Sequence, residues 1–259
     1  MTAPVLEARE LRFAYPHSKP VIDDLSVAIR PGDLCAFIGP NGGGKSTLIR
    51  LLAGILKPAS GEVLFHGRSF EKTPRREIAK RLAYVPQSWS MVFPFTALEV
   101  VLTGRSPHRL PFRLENGKDC EIAMEALSLV EATHLAERPV TALSTGEQQL
   151  VAVARALAQK PECLLLDEPS ASLDLRHRVA LMRSLTRLRD TLDLAICVVT
   201  HDLHLIDRAF DRVLALSDGR LVMDDRPDKV LNDAALARVY EDQSIRTRTV
   251  EGRTLVWCE

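Results

Sequence analysis

No stretch of this sequence approaches the roughly 20 consecutive apolar residues that a helix needs to cross a bilayer. Its first residues, Met-Thr-Ala-Pro-Val-Leu-Glu-Ala-Arg-Glu, lack the basic segment and apolar run of a signal peptide. The expectation is a chain that neither spans a membrane nor is exported. Excess charge of one sign is missing too. The 34 basic and 34 acidic residues balance, which gives no support for a general polyanion binder such as a nucleic-acid protein. Cysteines number only five, at 35, 120, 163, 197 and 258, an odd total with no metal-ligand spacing. Cys35, Cys163 and Cys197 fall inside apolar runs, so buried thiols in a reducing cytosol are expected. Internal repeats, low-complexity tracts, sustained heptads and long linkers are also absent.

What is there suits a folded α/β protein. With 259 residues, 46% hydrophobic and 26% charged, the chain can build one core domain, with or without a smaller inserted lobe. Short apolar runs at 34–38, 82–85, 163–166, 194–199 and 213–216 alternate with helical patterns. That alternation predicts a mainly parallel sheet with crossover helices. Their continuous apolarity predicts cover on both faces of the sheet. Leu11 and Phe13, and again Leu25, Val27 and Ile29, alternate with polar neighbours. They read as half-exposed antiparallel strands flanking the core. The segment 96–159 holds no convincing strand. It reads as helices, with Ile122, Ala123, Ala126, Leu127 and Val130 on one face of a helix over 120–130. The expected division is a core of 1–90 and 160–259, including the antiparallel part, with a helical lobe inserted at about 91–159. Near the end, 244–250 and 253–257 flank Glu251-Gly252 as a hairpin.

The run Gly39-Pro40-Asn41-Gly42-Gly43-Gly44-Lys45-Ser46-Thr47 fits the phosphate-loop pattern G-x-x-x-x-G-K-[ST]. Its context is right: the apolar run 34–38 precedes it, and a helical pattern of Leu48, Ile49, Leu51, Leu52 and Ile55 begins at the lysine. Glycines let successive N–H groups curl toward phosphate oxygens, and the helix N-terminus adds partial positive charge. Lys45 neutralises the β- and γ-phosphates, and Ser46 offers a hydroxyl to Mg²⁺, which prefers hard oxygen donors.

The run 163–166 ends in Asp167-Glu168-Pro169. Alone, such a turn is more often a solvated strand end. Beside a phosphate loop it lies where open α/β sheets bind ligands. Asp167 can then hold Mg²⁺ through its water shell, and Glu168 can orient, or take a proton from, the water that attacks the γ-phosphate. His201 follows the run 194–199 and can donate a hydrogen bond to that phosphate; by itself it would read as a surface or capping residue. Gln87, just after 82–85, can place an amide oxygen on the metal or serve as a polar loop residue. Tyr15 offers a ring that suits stacking on adenine and equally suits packing on a sheet.

In this order, the residues resemble the ATPases of ABC transporters over essentially the whole chain. The resemblance makes Tyr15 the adenine-stacking aromatic, the run from Gly39 to Thr47 the Walker A motif, and Gln87 the Q-loop glutamine. It makes Leu143-Ser144-Thr145-Gly146-Glu147 the signature, Leu164 to Asp167 with Glu168 the Walker B motif, Ser172-Leu173-Asp174 the D-loop and His201 the switch histidine. It implies a P-loop NTPase fold and a head-to-tail homodimer of cassettes with ATP sandwiched between them. Each site would join one subunit's Walker motifs to the other's signature. A helical pattern beginning at Gly146 agrees with this, because Ser144 and its neighbours then offer free N–H groups at a helix N-terminus.

The chain departs from the family pattern in two places. Thr145 stands where the family usually has glycine, so a β-branched side chain sits where backbone approaches phosphate. Leu150 stands where arginine is common. Within the family, the 96–108 and 228–240 patterns are similar to the ATPases of iron–siderophore, haem and vitamin B12 importers, with zinc and manganese importer ATPases as neighbours. The resemblance implies ATP and Mg²⁺, integral-membrane permease partners, an indirectly coupled solute-binding protein, and a peripheral place on the cytoplasmic face of the membrane. A soluble cassette ATPase of translation or DNA repair would usually carry two cassettes or a long coiled-coil insert. Trp89, Met91, Phe93 and Phe95 cluster just after Gln87 in a loop-like segment. The segment 88–108 is therefore the expected docking surface for a membrane subunit.

Overall fold

In the computed structural model, which describes residues 2–89, 91–109, 117–206, 209–250 and 253–259, the strand and helix patterns fall into two sheets, a hairpin and their helices. In chain order the elements are β1 (Leu6–Phe13), β2 (Ile22–Ile29), β3 (Leu34–Ile38), α1 (Lys45–Leu52), β4 (Ser60–Phe65), β5 (Arg68–Ser69), α2 (Arg75–Ala79) and β6 (Leu82–Val85). Then come α3 (Ala97–Leu102), α4 (Gly117–Leu129), α5 (Thr145–Ala158), β7 (Cys163–Asp167), α6 (Leu175–Leu192) and β8 (Ala195–Val199). The chain ends with β9 (Arg212–Ser217), β10 (Arg220–Asp225), α7 (Pro227–Val230), α8 (Asp233–Tyr240), β11 (Ile245–Val250) and β12 (Arg253–Cys258).

The central sheet runs β10-β9-β3-β8-β7-β6. Its strands pair in parallel from β9 to β6, and β10 closes the edge antiparallel to β9. Every residue of β3, β7 and β8 is buried, which is the reason their sequences are apolar without alternation. Successive side chains point to opposite faces. Leu34, Ala36 and Ile38 join a core that continues into α3, α4 and α5, whereas Cys35 and Phe37 join one with α1 and the antiparallel strands. Cys35, Cys163 and Cys197 are buried thiols, as expected, and Cys258 is exposed.

The second sheet, β2-β1-β4-β5, is antiparallel. The alternating Leu25, Val27 and Ile29 bury their side chains there. Strands β4 and β10 have no counterpart in the sequence reading. Each has a mixed pattern, Ser-Gly-Glu before Val-Leu-Phe in β4 and two terminal aspartates in β10, and each is a strand because a neighbour's backbone pairs with it.

Within 96–158, α3, α4 and α5 are helical, and among the described residues of this segment the sheet pairing is one isolated bridge between Thr96 and Pro139. Ile122, Ala123, Ala126, Leu127 and Val130 are all buried. One helical expectation needs correcting. The apolar pattern after Lys45 included Ile55, but α1 stops at Leu52 and Ile55 is 54% exposed. Gly54 turns the chain with φ of 68° just beyond the helix end, a conformation that glycine adopts without strain. The C-terminal hairpin forms with Ile245 opposite Cys258 and Val250 opposite Arg253; its Glu251-Gly252 turn lies outside the described residues. Among the described residues no helix is long and apolar enough to cross a membrane.

Candidate active site

Strand order assembles the site. Leaving β3, the chain goes to the far edge at β6, returns through β7 and β8, and then crosses β3 to form β9. This reversal beside β3 is the crevice where open α/β sheets place ligands. It sets four carboxyl ends in a row: the phosphate loop after β3, His201 after β8, Glu168 after β7 and Gln87 after β6. Neighbouring strands lie about 4.8 Å apart, so side chains leaving adjacent ends meet directly.

The phosphate loop packs closely against β9. A Cβ on Gly39, where φ is 141°, would lie 2.0 Å from the Leu216 carbonyl oxygen, so only glycine fits. Gly44 is the N-cap of α1 and no side chain caps this helix. Its first-turn N–H groups therefore have no intrahelical acceptor. Lys45 is only 5% exposed. Its Nζ donates to the carbonyls of Gly39 and Pro40, each at 2.8 Å. Burial pushes its pKa below the ordinary lysine value, and the charges of Glu168 and Asp167 act in the opposite direction. A nearly buried ammonium whose hydrogen bonds, among the described residues, go to loop carbonyls, at an uncapped helix start, is an environment that suits an anion.

Asp167 is fully buried. Ser46 Oγ donates to its Oδ1 at 2.9 Å, Tyr84 donates to Oδ2 at 3.4 Å, and the Arg50 guanidinium stands 3.8 Å from Oδ2. Ser46 and Asp167 thus present hard oxygen donors side by side, which is the chemistry that suits Mg²⁺. Glu168 is held by two neighbours: His201 Nε2 lies 2.7 Å from its Oε1, and Gln87 Nε2 donates to its Oε2 at 3.0 Å. The amide nitrogen of Gln87 is thus engaged with Glu168. Beside Glu168 and His201 opens a cavity of ≈ 310 Å³ also lined by Ser170, Thr200 and Asp202. Tyr15 is 38% exposed. It packs edge-on against Phe13 with its hydroxyl 3.3 Å from Thr47 Oγ1, which places the ring beside the first turn of α1.

The signature residues stand apart. Ser144 is the N-cap of α5 and forms a capping box with Glu147. Thr145 and Gly146 are the next two residues, whose N–H groups helix geometry leaves unpaired. The hydrogen bond from the Ser144 backbone holds the Glu147 carboxyl below its ordinary pKa, and Arg138 pairs with Glu147 at 2.8 Å. Gly146 faces Leu173, where an added Cβ would lie 3.2 Å from a Leu173 methyl. None of the hydrogen bonds of Ser144 or Glu147 reaches the phosphate loop, Asp167 or Glu168. Hydrogen bonds and ion pairs within one chain thus join Ser46 to Asp167 and Glu168 to Gln87 and His201, and none of those of Ser144 or Glu147 joins them.

Two site residues escaped the sequence reading. Arg50 carried a signal, because it stands four residues after Ser46 on the same helix face. Tyr84 carried none, since only the register that sets it opposite Leu165 aims it at Asp167. The apolar cluster after Gln87 also divides. Trp89 donates its indole N–H to the Gln148 carbonyl, and both Trp89 and Met91 pack on the core. Val92, Phe93 and Phe95 are 87%, 66% and 48% exposed. Of the four residues in the expected cluster, Trp89 and Met91 therefore pack inward while Phe93 and Phe95 stay exposed, and Val92 beside them is exposed as well.

Comparison with known proteins agrees with this geometry. The family described as ABC transporter matches residues 22–171. The hemin import ATP-binding protein HmuV of Methylobacillus flagellatus is 39% identical over 243 residues, spanning 92% of this chain and 90% of the relative. Among solved structures, an inward-facing metal-chelate type ABC transporter superimposes with a TM-score of 0.81 at 27% identity, covering 98% of this chain and 96% of the other. A dimeric post-hydrolysis state of the ATP-binding cassette MJ0796, bound to ADP and phosphate, gives a TM-score of 0.76 at 27% identity, covering 86% and 98%.

Proposed function

Because the chain belongs to the ABC transporter family, we propose that it is the ATP-hydrolysing subunit that energises import of a metal chelate of the haem, siderophore or cobalamin type. The observation that carries this reading is the nearly buried Lys45 ammonium, which donates to loop carbonyls at an uncapped helix start beside Ser46 and Asp167. Lys45 and the first-turn N–H groups of α1 bind the phosphates, and Tyr15 lies against the base. Ser46 and Asp167 hold Mg²⁺, with the Gln87 amide oxygen as a further donor. Mg²⁺, when bound, neutralises charge on the phosphates. Glu168 accepts the proton of the attacking water and His201 donates to the γ-phosphate. For this, Glu168 must exchange its present bonds to His201 and Gln87 for one to water.

A second copy completes the site with Ser144, Thr145, Gly146 and Glu147. This proposal is supported by the hydrogen bonds of Ser144 and Glu147, none of which reaches the phosphate loop within one chain, and by the dimeric state of the related cassette. A permease docks on Val92, Phe93 and Phe95, beside Gln87, and holds the chain at the cytoplasmic face of the membrane.

Phosphate release by the purified chain tests the reading. Hydrolysis of ATP with Mg²⁺ is expected, with a fall to background when EDTA removes the metal; turnover that survives chelation would remove Ser46 and Asp167 from metal binding. The docking assignment has its own test. Phe93→Ser and Phe95→Ser are each expected to weaken co-purification with the permease by about tenfold, the loss of an exposed aromatic anchor, with basal hydrolysis and the thermal midpoint unchanged. Trp89→Ser is expected instead to destabilise the fold by about 1–3 kcal/mol, the usual cost of a lost core contact. Unchanged permease binding in both phenylalanine variants would rule the surface out.

A further inference from the structure

The turn at 103–108 makes unusually close contact with the back of α5, the helix whose front end carries the signature. A Cβ on Gly104 would lie 2.1 Å from the Arg155 carbonyl oxygen, so the turn's backbone rests directly on the helix. Arg105, 7% exposed, donates through Nη1 to the Ala158 carbonyl at 2.6 Å. Its Nε donates to Asp119 of α4 at 3.0 Å. His108 Nε2 lies 2.7 Å from the Gln159 carbonyl oxygen. A cationic guanidinium and an imidazole thus cap the last carbonyls of α5, where the helix dipole is negative.

The same turn is fastened to the core. Arg76 of α2 donates from Nε to the Pro107 carbonyl at 2.8 Å and also to the Arg109 carbonyl. Gln159 Nε2 donates to the Ala79 carbonyl of α2 at 3.0 Å. A short connection leads from α2 into β6, which ends at Val85, two residues before Gln87. One turn therefore joins the rear of the signature helix, the lobe helix α4 and the element that leads to Gln87. For stability alone, an apolar filling would serve as well as a buried ion pair. What directional bonds add is a defined position for the part they hold.

We propose that Arg105 and His108 are positioning residues for ATP hydrolysis: they seat the rear of α5 so that Ser144, Thr145 and Gly146, about 21 Å away along a 14-residue helix, meet the nucleotide of a second copy in register. This rests on the reading, given above, that the signature acts across a dimer. A helix is stiff, so a shift or rotation at its rear reaches its front undiminished. Phosphate-binding N–H groups tolerate only about 0.5 Å of misplacement.

His108 carries the test, because Arg105→Ala removes one of the two guanidinium groups beside the buried Asp119 carboxylate, leaving Arg109 at 3.4 Å, and is expected to destabilise the lobe itself. His108→Ala and His108→Gln are each combined with Glu168→Gln, and ATP-driven dimerisation is followed by sizing. Nucleotide affinity of the monomer is read with a fluorescent ATP analogue at low protein concentration. His108→Ala is expected to leave monomer affinity within about twofold and to raise the ATP concentration for half-dimerisation about tenfold, a typical coupling loss. His108→Gln, which returns an N–H toward the Gln159 carbonyl, is expected to recover most of that loss. Failure of Glu168→Gln alone to dimerise would count against the dimer reading itself. Normal dimerisation by His108→Ala, a lower thermal midpoint with the folded fraction still dimerising normally, or equal losses in the alanine and glutamine variants would each overturn the seat while leaving the dimer reading intact.

Discussion

Glu168→Gln is expected to bind ATP about as tightly as the native chain, to hydrolyse it about 10²–10⁴-fold more slowly, and to accumulate as an ATP-bound dimer. The magnitude is that of losing a general base. Glu168 follows the buried end of β7, with His201 at 2.7 Å and Gln87 at 3.0 Å from its two oxygens. Glutamine matches the carboxylate in size and can still hydrogen-bond to both neighbours, so the fold and the nucleotide contacts of the phosphate loop are preserved. It cannot take a proton from water or carry the charge that polarises it. Phosphate release reads the first effect, and sizing in ATP and Mg²⁺ reads the second. Hydrolysis near the native rate would take Glu168 out of the mechanism.

The second large effect is expected from Lys45→Ala. The ammonium is nearly buried and, among the described residues, donates to the carbonyls of Gly39 and Pro40. Alanine leaves those carbonyls unmet at about 1–3 kcal/mol and removes the positive charge that faces the phosphates. Turnover is expected to fall about 10²–10³-fold, the scale for deleting one preorganised electrostatic contact, with a matching loss of ATP affinity. Glu168→Gln keeps affinity and Lys45→Ala loses it, so the pair separates binding from chemistry. Nucleotide titration alongside a thermal melt distinguishes loss of the charge from loss of the fold. A folded Lys45→Ala protein with normal affinity would mean that the loop does not bind phosphate.

Much of the site could be read along the chain because its pieces are local. A buried strand, a glycine turn and a helix that starts at Lys45 are contiguous, so the phosphate loop announces itself without tertiary contacts. The same holds for Asp167 and Glu168 at the end of an apolar run, and for Ser144 and Glu147, whose three-residue spacing forms a capping box. Elements with a clear period, such as α4 and α5, were equally legible. Those with a mixed pattern were not: β4 and β10 exist because partners pair with them, and α1 ends early because Gly54 turns the chain, although apolar spacing continues to Ile55.

The sequence by itself determined which chemical groups are present and on which kind of element each sits, since a phosphate loop, a strand-end acid pair and a helix cap are set by residues a few positions apart. Only the tertiary structure decided which of them meet. Gln87 reaches Glu168 across 81 residues of chain, and Ser46 reaches Asp167 across 121. Both contacts follow from the order β3-β8-β7-β6, which backbone hydrogen bonds between distant strands impose and no local pattern encodes. The tertiary structure likewise divided the apolar cluster, turning Trp89 inward to the Gln148 carbonyl and leaving Phe93 and Phe95 exposed. That outcome depended on whether α5 offered a gap and an acceptor, because residues of similar apolarity are told apart only by the surface they meet.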